Sequence, residues 1–211
     1  IDFTGPFEVL SRLSNSTFHV IGKEKVPVRD EGGLILTPEK TLSDAPPLDL
    51  LIVPGGLGVN VLMEDAAVLS FIRKQAAGAK FVFSVCTGAL LCGAAGLLKG
   101  VRATTYWRAI SLLQYFGAIA IDERVVVDGK FVSAAGVTAG IDGALKVAAL
   151  LRGDDAARQI QLFIEYVPEP PFDCGSPKNA PAEILKAVEQ ATEKRLRDRL
   201  EIVKRVAATL G

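Results

Sequence analysis

The run "FVFSVCTGALLCGAAGLL", residues 81–98, carries no charged side chain. Its length lies at the lower edge of what crosses a bilayer, yet its internal order argues against one uniform helix. "FVFSV" is aromatic or β-branched apart from Ser84, the composition of a strand buried on both faces. Cys86, Thr87 and Gly88 interrupt it, and "ALLCGAAGLL" continues at helix-forming density. Gly88, Gly93 and Gly96 suit a helix pressed against a sheet, with Gly96 as its stop. The run therefore predicts a strand, a sharp turn and a buried helix. Cys86 sits at the turn.

The flanking segments repeat that alternation. "LDLLIVPGG" (48–56) predicts an apolar strand, and "MEDAAVLSFIRKQAAGAK" (63–80) a helix with Val68, Phe71, Ile72 and Ala76 on one side. "RATTY" (102–106) predicts a short strand and "WRAISLLQYFG" (107–117) a helix ending at glycine. "ERVVVDGKFVSAAG" (123–136) has the pattern of a hairpin turning at Asp128-Gly129. Helices are expected over 139–151 and 154–167, and a long one from about Ala182 to Leu210. Strands alternating with helices imply an open, mostly parallel sheet covered on both faces, an α/β fold. No repeat or linker divides residues 1–211, so a single domain is expected.

Hydrophobic residues make up 49% of the 211, enough for one sizeable core. Lys and Arg number 24, as do Asp and Glu, so no net charge draws the chain to nucleic acid or an anionic membrane. The charged residues between Glu193 and Arg205 read as a solvated helix face because their signs are mixed. Three cysteines, at 86, 92 and 174, form no C-x-x-C pair, and there is one histidine. A zinc site is not expected on those grounds, and a reduced cytoplasmic protein is the simplest reading.

Cys86 is the residue with chemistry to offer. A turn between strand and helix carries its side chain beyond the sheet edge, where the helix aims unpaired N–H groups at it. Those groups favour thiolate and predict a nucleophile near neutral pH. The alternative is a buried cysteine acting as a small hydrophobe. Cys92, inside the helix, and Cys174, in a loop, are expected to be passive. His19, in "TFHVIG", reads as a structural histidine within an apolar strand. Asp2 precedes a helix opened by Gly5-Pro6 and lies at a strand end, where sites of open sheets assemble. A carboxylate complementing the helix dipole is the competing reading.

Taken together, "IDFTGPFEVL", "LDLLIVPGG", "SVCTGALLCGAAGLLKG", "RATTYW", "AAGVTAGIDGAL" and "QLFIEYVPEPPFDCGSP" resemble the ThiJ/PfpI superfamily. The "EYVPEPPFDCGSP" segment and the tail after it most resemble its isocyanide hydratase branch. That resemblance implies a flavodoxin-like fold, a homodimer, no cofactor, and hydration of isocyanides to N-substituted formamides through a covalent thioimidate. It places the nucleophile on Cys86 and its acidic partner on Asp2. Thr87 would shape the pocket, and Gly56 would turn a backbone N–H towards the reacting centre. Other branches that share these segments are cysteine-dependent glyoxalases or deglycases and the ligand-sensing domains of AraC-type regulators. Three departures stand out. The family's first strand has no counterpart before Ile1, Tyr106 stands where relatives often have histidine, and Ala135 replaces a glycine. An N-terminal strand preceding Ile1 is accordingly expected.

Overall fold

The computed structural model describes residues 1–210. In chain order its elements are α1 (Thr4–Leu10), β1 (Ile21–Gly22), β2 (Val28–Arg29), β3 (Ile35–Leu36), β4 (Lys40–Thr41), β5 (Leu50–Val53), α2 (Val59–Leu62) and α3 (Ala66–Gly78). Then follow β6 (Phe81–Val85), α4 (Gly88–Ala94), β7 (Arg102–Ala103), a 3-10 helix (Trp107–Phe116), β8 (Ile119–Ala120), β9 (Val125–Asp128) and β10 (Phe131–Ala134). Helices α5 (Ala139–Arg152), α6 (Asp154–Phe163) and α7 (Ala182–Ala207) complete the chain.

The central sheet has the order β5-β6-β10-β9. β6 lies parallel to both β5 and β10, with Ser84 opposite Val53 on one side and Ser133 on the other. β9 closes the sheet antiparallel to β10, through the hairpin that Asp128-Gly129 predicted. Alternation along β6 divides the core. Val82 packs with α3, α4 and α7, whereas Phe83 and Val85 pack with α1 and α5. Helices thus cover both faces, as a mostly parallel sheet requires. The fold is the flavodoxin-like α/β arrangement, and the run 81–98 is strand, turn and buried helix. Among the described residues no helix is long and apolar enough to cross a membrane.

Four local expectations change. His19 is outside any strand. The strand begins at Ile21, and His19 Nδ1 lies 3.2 Å from Glu39 Oε1 on a half-exposed segment. Residues 107–116 wind as a 3-10 helix rather than an α-helix. Helix α6 stops at Phe163, short of the expected 167, before the proline-rich segment. Within the charged stretch of α7, Arg199 is buried instead of solvated, at 8% exposure.

The outer edge of β5 has no strand partner among the described residues. Beside it runs a cleft of about 660 Å³, bounded by Leu50 and Ile52 on one side and by Phe18 and Ile21 on the other. Leu10 of α1 and Phe71 of α3, from the two helical layers, also line it. Across it lies the small parallel pair β1–β4, detached from the central sheet.

Candidate active site

The site assembles at the carboxyl ends of β5 and β6. Cys86 follows β6 directly with φ of 53°, a left-handed conformation that is strained for a residue with a side chain. Hydrogen bonds at both ends hold it there. Its N–H donates to the Ala134 carbonyl at 2.9 Å, and its own carbonyl accepts from Thr105 Oγ1 at 2.6 Å. Sequence reasoning had no reason to single out Thr105, because the contact spans nineteen residues. Helix α4 then begins so close to β5 that a Cβ on Gly88 would lie 2.0 Å from the Val53 carbonyl oxygen. Only glycine fits there. The strain, the anchors and the close approach together have the geometry of a nucleophile elbow.

Asp2 lies beside this elbow, half-buried, in the turn that opens α1. A Cβ on Gly55 would meet Asp2 Oδ2 at 2.6 Å and the Thr87 backbone nitrogen at 2.7 Å. The β5 terminus therefore lies against both the carboxylate and the residue after Cys86. Burial raises the Asp2 carboxyl above its ordinary 3.8, while a hydrogen bond with Cys86 pulls it part of the way back. Burial likewise pushes the Cys86 thiol up to about 12, and the Asp2 charge pushes in the same direction. The expectation of a resting thiolate is thus corrected. The N–H dipole at Thr87 does favour thiolate, but desolvation and a neighbouring carboxylate outweigh it. Burial and the Asp2 charge thus both favour the protonated form of the sulfur.

Thr87 is 2% exposed, and its Oγ1 accepts the Gly56 N–H at 3.1 Å. That N–H is consequently engaged by Thr87 rather than left open towards the reacting centre. Gly56 itself has φ of 123°, which aligns the peptide for this bond. Tyr106, half-exposed, packs with the cluster that contains Cys86, and its phenol is raised first by burial and then by the Cys86 charge. Ala135 is held through its N–H to the Arg124 carbonyl at 2.9 Å, just after β10. His19, by its pairing with Glu39, borders the cleft beside β5 and not this site. Cys92 is fully enclosed in α4. Cys174 lies in the loop near Trp107 and Ile184. Among the described residues no cluster of His, Cys, Asp and Glu could hold a metal ion.

A flavodoxin-like sheet carrying a strained cysteine beside a carboxylate defines a class of cysteine-centred α/β proteins. The chain belongs to the DJ-1/PfpI family, which matches residues 1–150. It is 49% identical to isonitrile hydratase of Pseudomonas putida over 211 residues, covering all of this chain and 92% of that protein. It is 29% identical to the HTH-type transcriptional regulator CdhR of Pseudomonas aeruginosa over 159 residues, 74% of this chain but 47% of the regulator. Among solved structures, a ThiJ/PfpI family protein from Pseudomonas syringae superposes with a TM-score of 0.93 at 37% identity. That alignment covers 96% of this chain and 84% of the other.

Proposed function

We propose that the protein hydrates organic isocyanides, R–NC, to N-substituted formamides, with Cys86 as nucleophile and Asp2 as proton carrier. The observation that carries the mechanism is a strained, 7% exposed Cys86 with the half-buried Asp2 carboxylate beside its turn, and burial raises the titration of both groups. The reaction class rests on the 49% identity to a whole isonitrile hydratase.

An isocyanide carbon is attacked by a nucleophile and must gain a proton in the same event. Asp2 takes the proton from the Cys86 thiol as sulfur bonds to that carbon, and delivers it to the carbon. The product is a thioimidate, R–N=CH–S–Cys86. Water then adds to the same carbon, with Asp2 accepting its proton and passing it to nitrogen. Collapse of the tetrahedral R–NH–CH(OH)–S–Cys86 expels sulfur. The hydroxyl proton returns to sulfur through Asp2 and leaves R–NH–CHO. Atoms balance with one isocyanide and one water consumed. Proton handling of this kind contributes about 10²–10⁴-fold in rate. Thr87 and Gly56 line the site as a rigid wall, since their mutual hydrogen bond fixes both.

The regulator-like alternative has less support, at 29% identity against 49%. Leu162, Val167 and Phe172 are 82%, 69% and 77% exposed, apolar side chains that a homodimer would cover. A working thiol at Cys86 fits a reducing compartment, hence the cytoplasm. The edge of β5 that borders this cleft has no strand partner among the described residues, so a further strand could pair there. The test of function is direct. Incubation with an aryl isocyanide should yield the N-aryl formamide catalytically, and absence of formamide would end this reading.

A further inference from the structure

Arg199 is the one charged side chain among the described residues that is buried as deeply as the core, at 8% exposure. It projects from α7, whose other charges form surface pairs such as Lys194–Asp198 and Lys204–Glu201. No carboxylate among the described residues lies within ion-pair distance of it. Its Nε donates to Asn60 Oδ1 at 2.7 Å, and its Nη2 approaches the Gly56 carbonyl oxygen at 3.5 Å. An unpaired buried guanidinium is costly, because the water it gives up is replaced by nothing of opposite charge. A charge kept in that condition needs an anion that appears only part of the time.

The contacts of Arg199 lead to the nucleophile. Gly56, whose carbonyl faces the guanidinium, donates its N–H to Thr87 Oγ1, and Thr87 follows Cys86 in the chain. We propose that Arg199 is a positioning residue of the Cys86 site. It holds the Gly56 peptide against Thr87, the residue after Cys86, and so keeps a positive charge on the Cys86 side of α7, to steady the sulfur whenever it turns anionic. The electrostatic balance agrees in direction. Burial and Asp2 push the Cys86 titration up and Arg199 is a smaller opposing pull; burial lowers the titration of Arg199, and the Cys86 charge pulls it part of the way back. The other groups whose charges enter this balance are Asp2, Tyr106 and Arg195. Applied to turnover, the inference rests on the hydration mechanism above, since sulfur becomes anionic when the tetrahedral adduct collapses.

Two substitutions separate charge from packing. Arg199→Met removes the guanidinium, and Asn60→Asp keeps it but neutralises its field with an adjoining carboxylate. The rate of Cys86 alkylation by iodoacetamide would be followed against pH, with folding checked by circular dichroism and Arg199→Lys as the conservative rescue. Both variants should move the thiol titration upward, read as slower alkylation than the parent at each pH. Arg199→Lys should recover much of the parent profile. In hydration assays kcat should fall more than KM changes. Alkylation needs no isocyanide, so a parent protein that makes no formamide would still report on Arg199. Profiles of Asn60→Asp and Arg199→Met that superimpose on the parent would overturn the proposal. So would an equal loss in Arg199→Lys.

Discussion

Asp2→Asn is the substitution that most separates the carboxylate's two effects on Cys86. As a negative neighbour, Asp2 is the second cause, after burial, of the rise in the thiol's titration to about 12. Asparagine keeps the shape and removes that charge, so the thiol should ionise at lower pH than in the parent. It should still titrate above the ordinary cysteine value of 9.0, because burial remains. As proton carrier, however, Asp2 has no substitute in asparagine. Turnover should therefore drop by about 10²–10⁴-fold although the sulfur has become the better nucleophile. The pH profile supplies the sign. In the proposed mechanism Asp2 works as carboxylate, and burial raises its titration above 3.8. Activity in the parent should consequently fade as pH drops through that raised value, and the residual activity of Asp2→Asn should lack this acidic limb. Thiolate absorbance in the ultraviolet would read the first effect, and single-turnover formamide formation the second. Parent-like turnover in Asp2→Asn, or an upward shift of its thiol, would refute the reasoning.

Three further outcomes follow from the same geometry. Gly88→Ala forces a Cβ to within 2.0 Å of the Val53 carbonyl oxygen. It should cost about 1–3 kcal/mol, seen by calorimetry as a Tm lower by roughly 2–12 °C; an unchanged Tm would contradict the packing of α4 on β5. Thr105→Val leaves the buried Cys86 carbonyl without its 2.6 Å donor. Stability should fall by about 1–3 kcal/mol in denaturant titrations, and kcat should fall with it as the elbow loosens. His19→Gln should leave kcat/KM near the parent value, since His19 meets Glu39 and not Cys86 or Asp2. A large loss there would reassign the proton carrier.

The elbow was legible because it is written locally. A β-branched strand, one cysteine and a glycine must follow one another in a few residues, and the strand, turn and helix lie where that order places them. The sense of the thiol's titration was not legible. Helix N–H groups adjoin Cys86 in sequence, whereas its burial at 7% exposure arises from tertiary packing that no short window contains. Arg199 was hidden for a related reason. Residues 193–205 alternate charge signs, and nothing in that alternation marks the single guanidinium that turns inward to Asn60. Thr105 gave no signal, since its partner is a backbone carbonyl, which any residue carries. His19 was misread because "FHVI" has strand composition, yet pairing begins only at Ile21, opposite Lys40.

The most direct measurement of the central claim is formamide production from an aryl isocyanide by Cys86→Ala, beside Cys92→Ala and Cys174→Ala as controls. If Cys86 is the nucleophile, its alanine variant should fold and yield no formamide above the uncatalysed background, while both controls keep most of the parent rate. Parent-like turnover by Cys86→Ala would contradict the covalent mechanism outright.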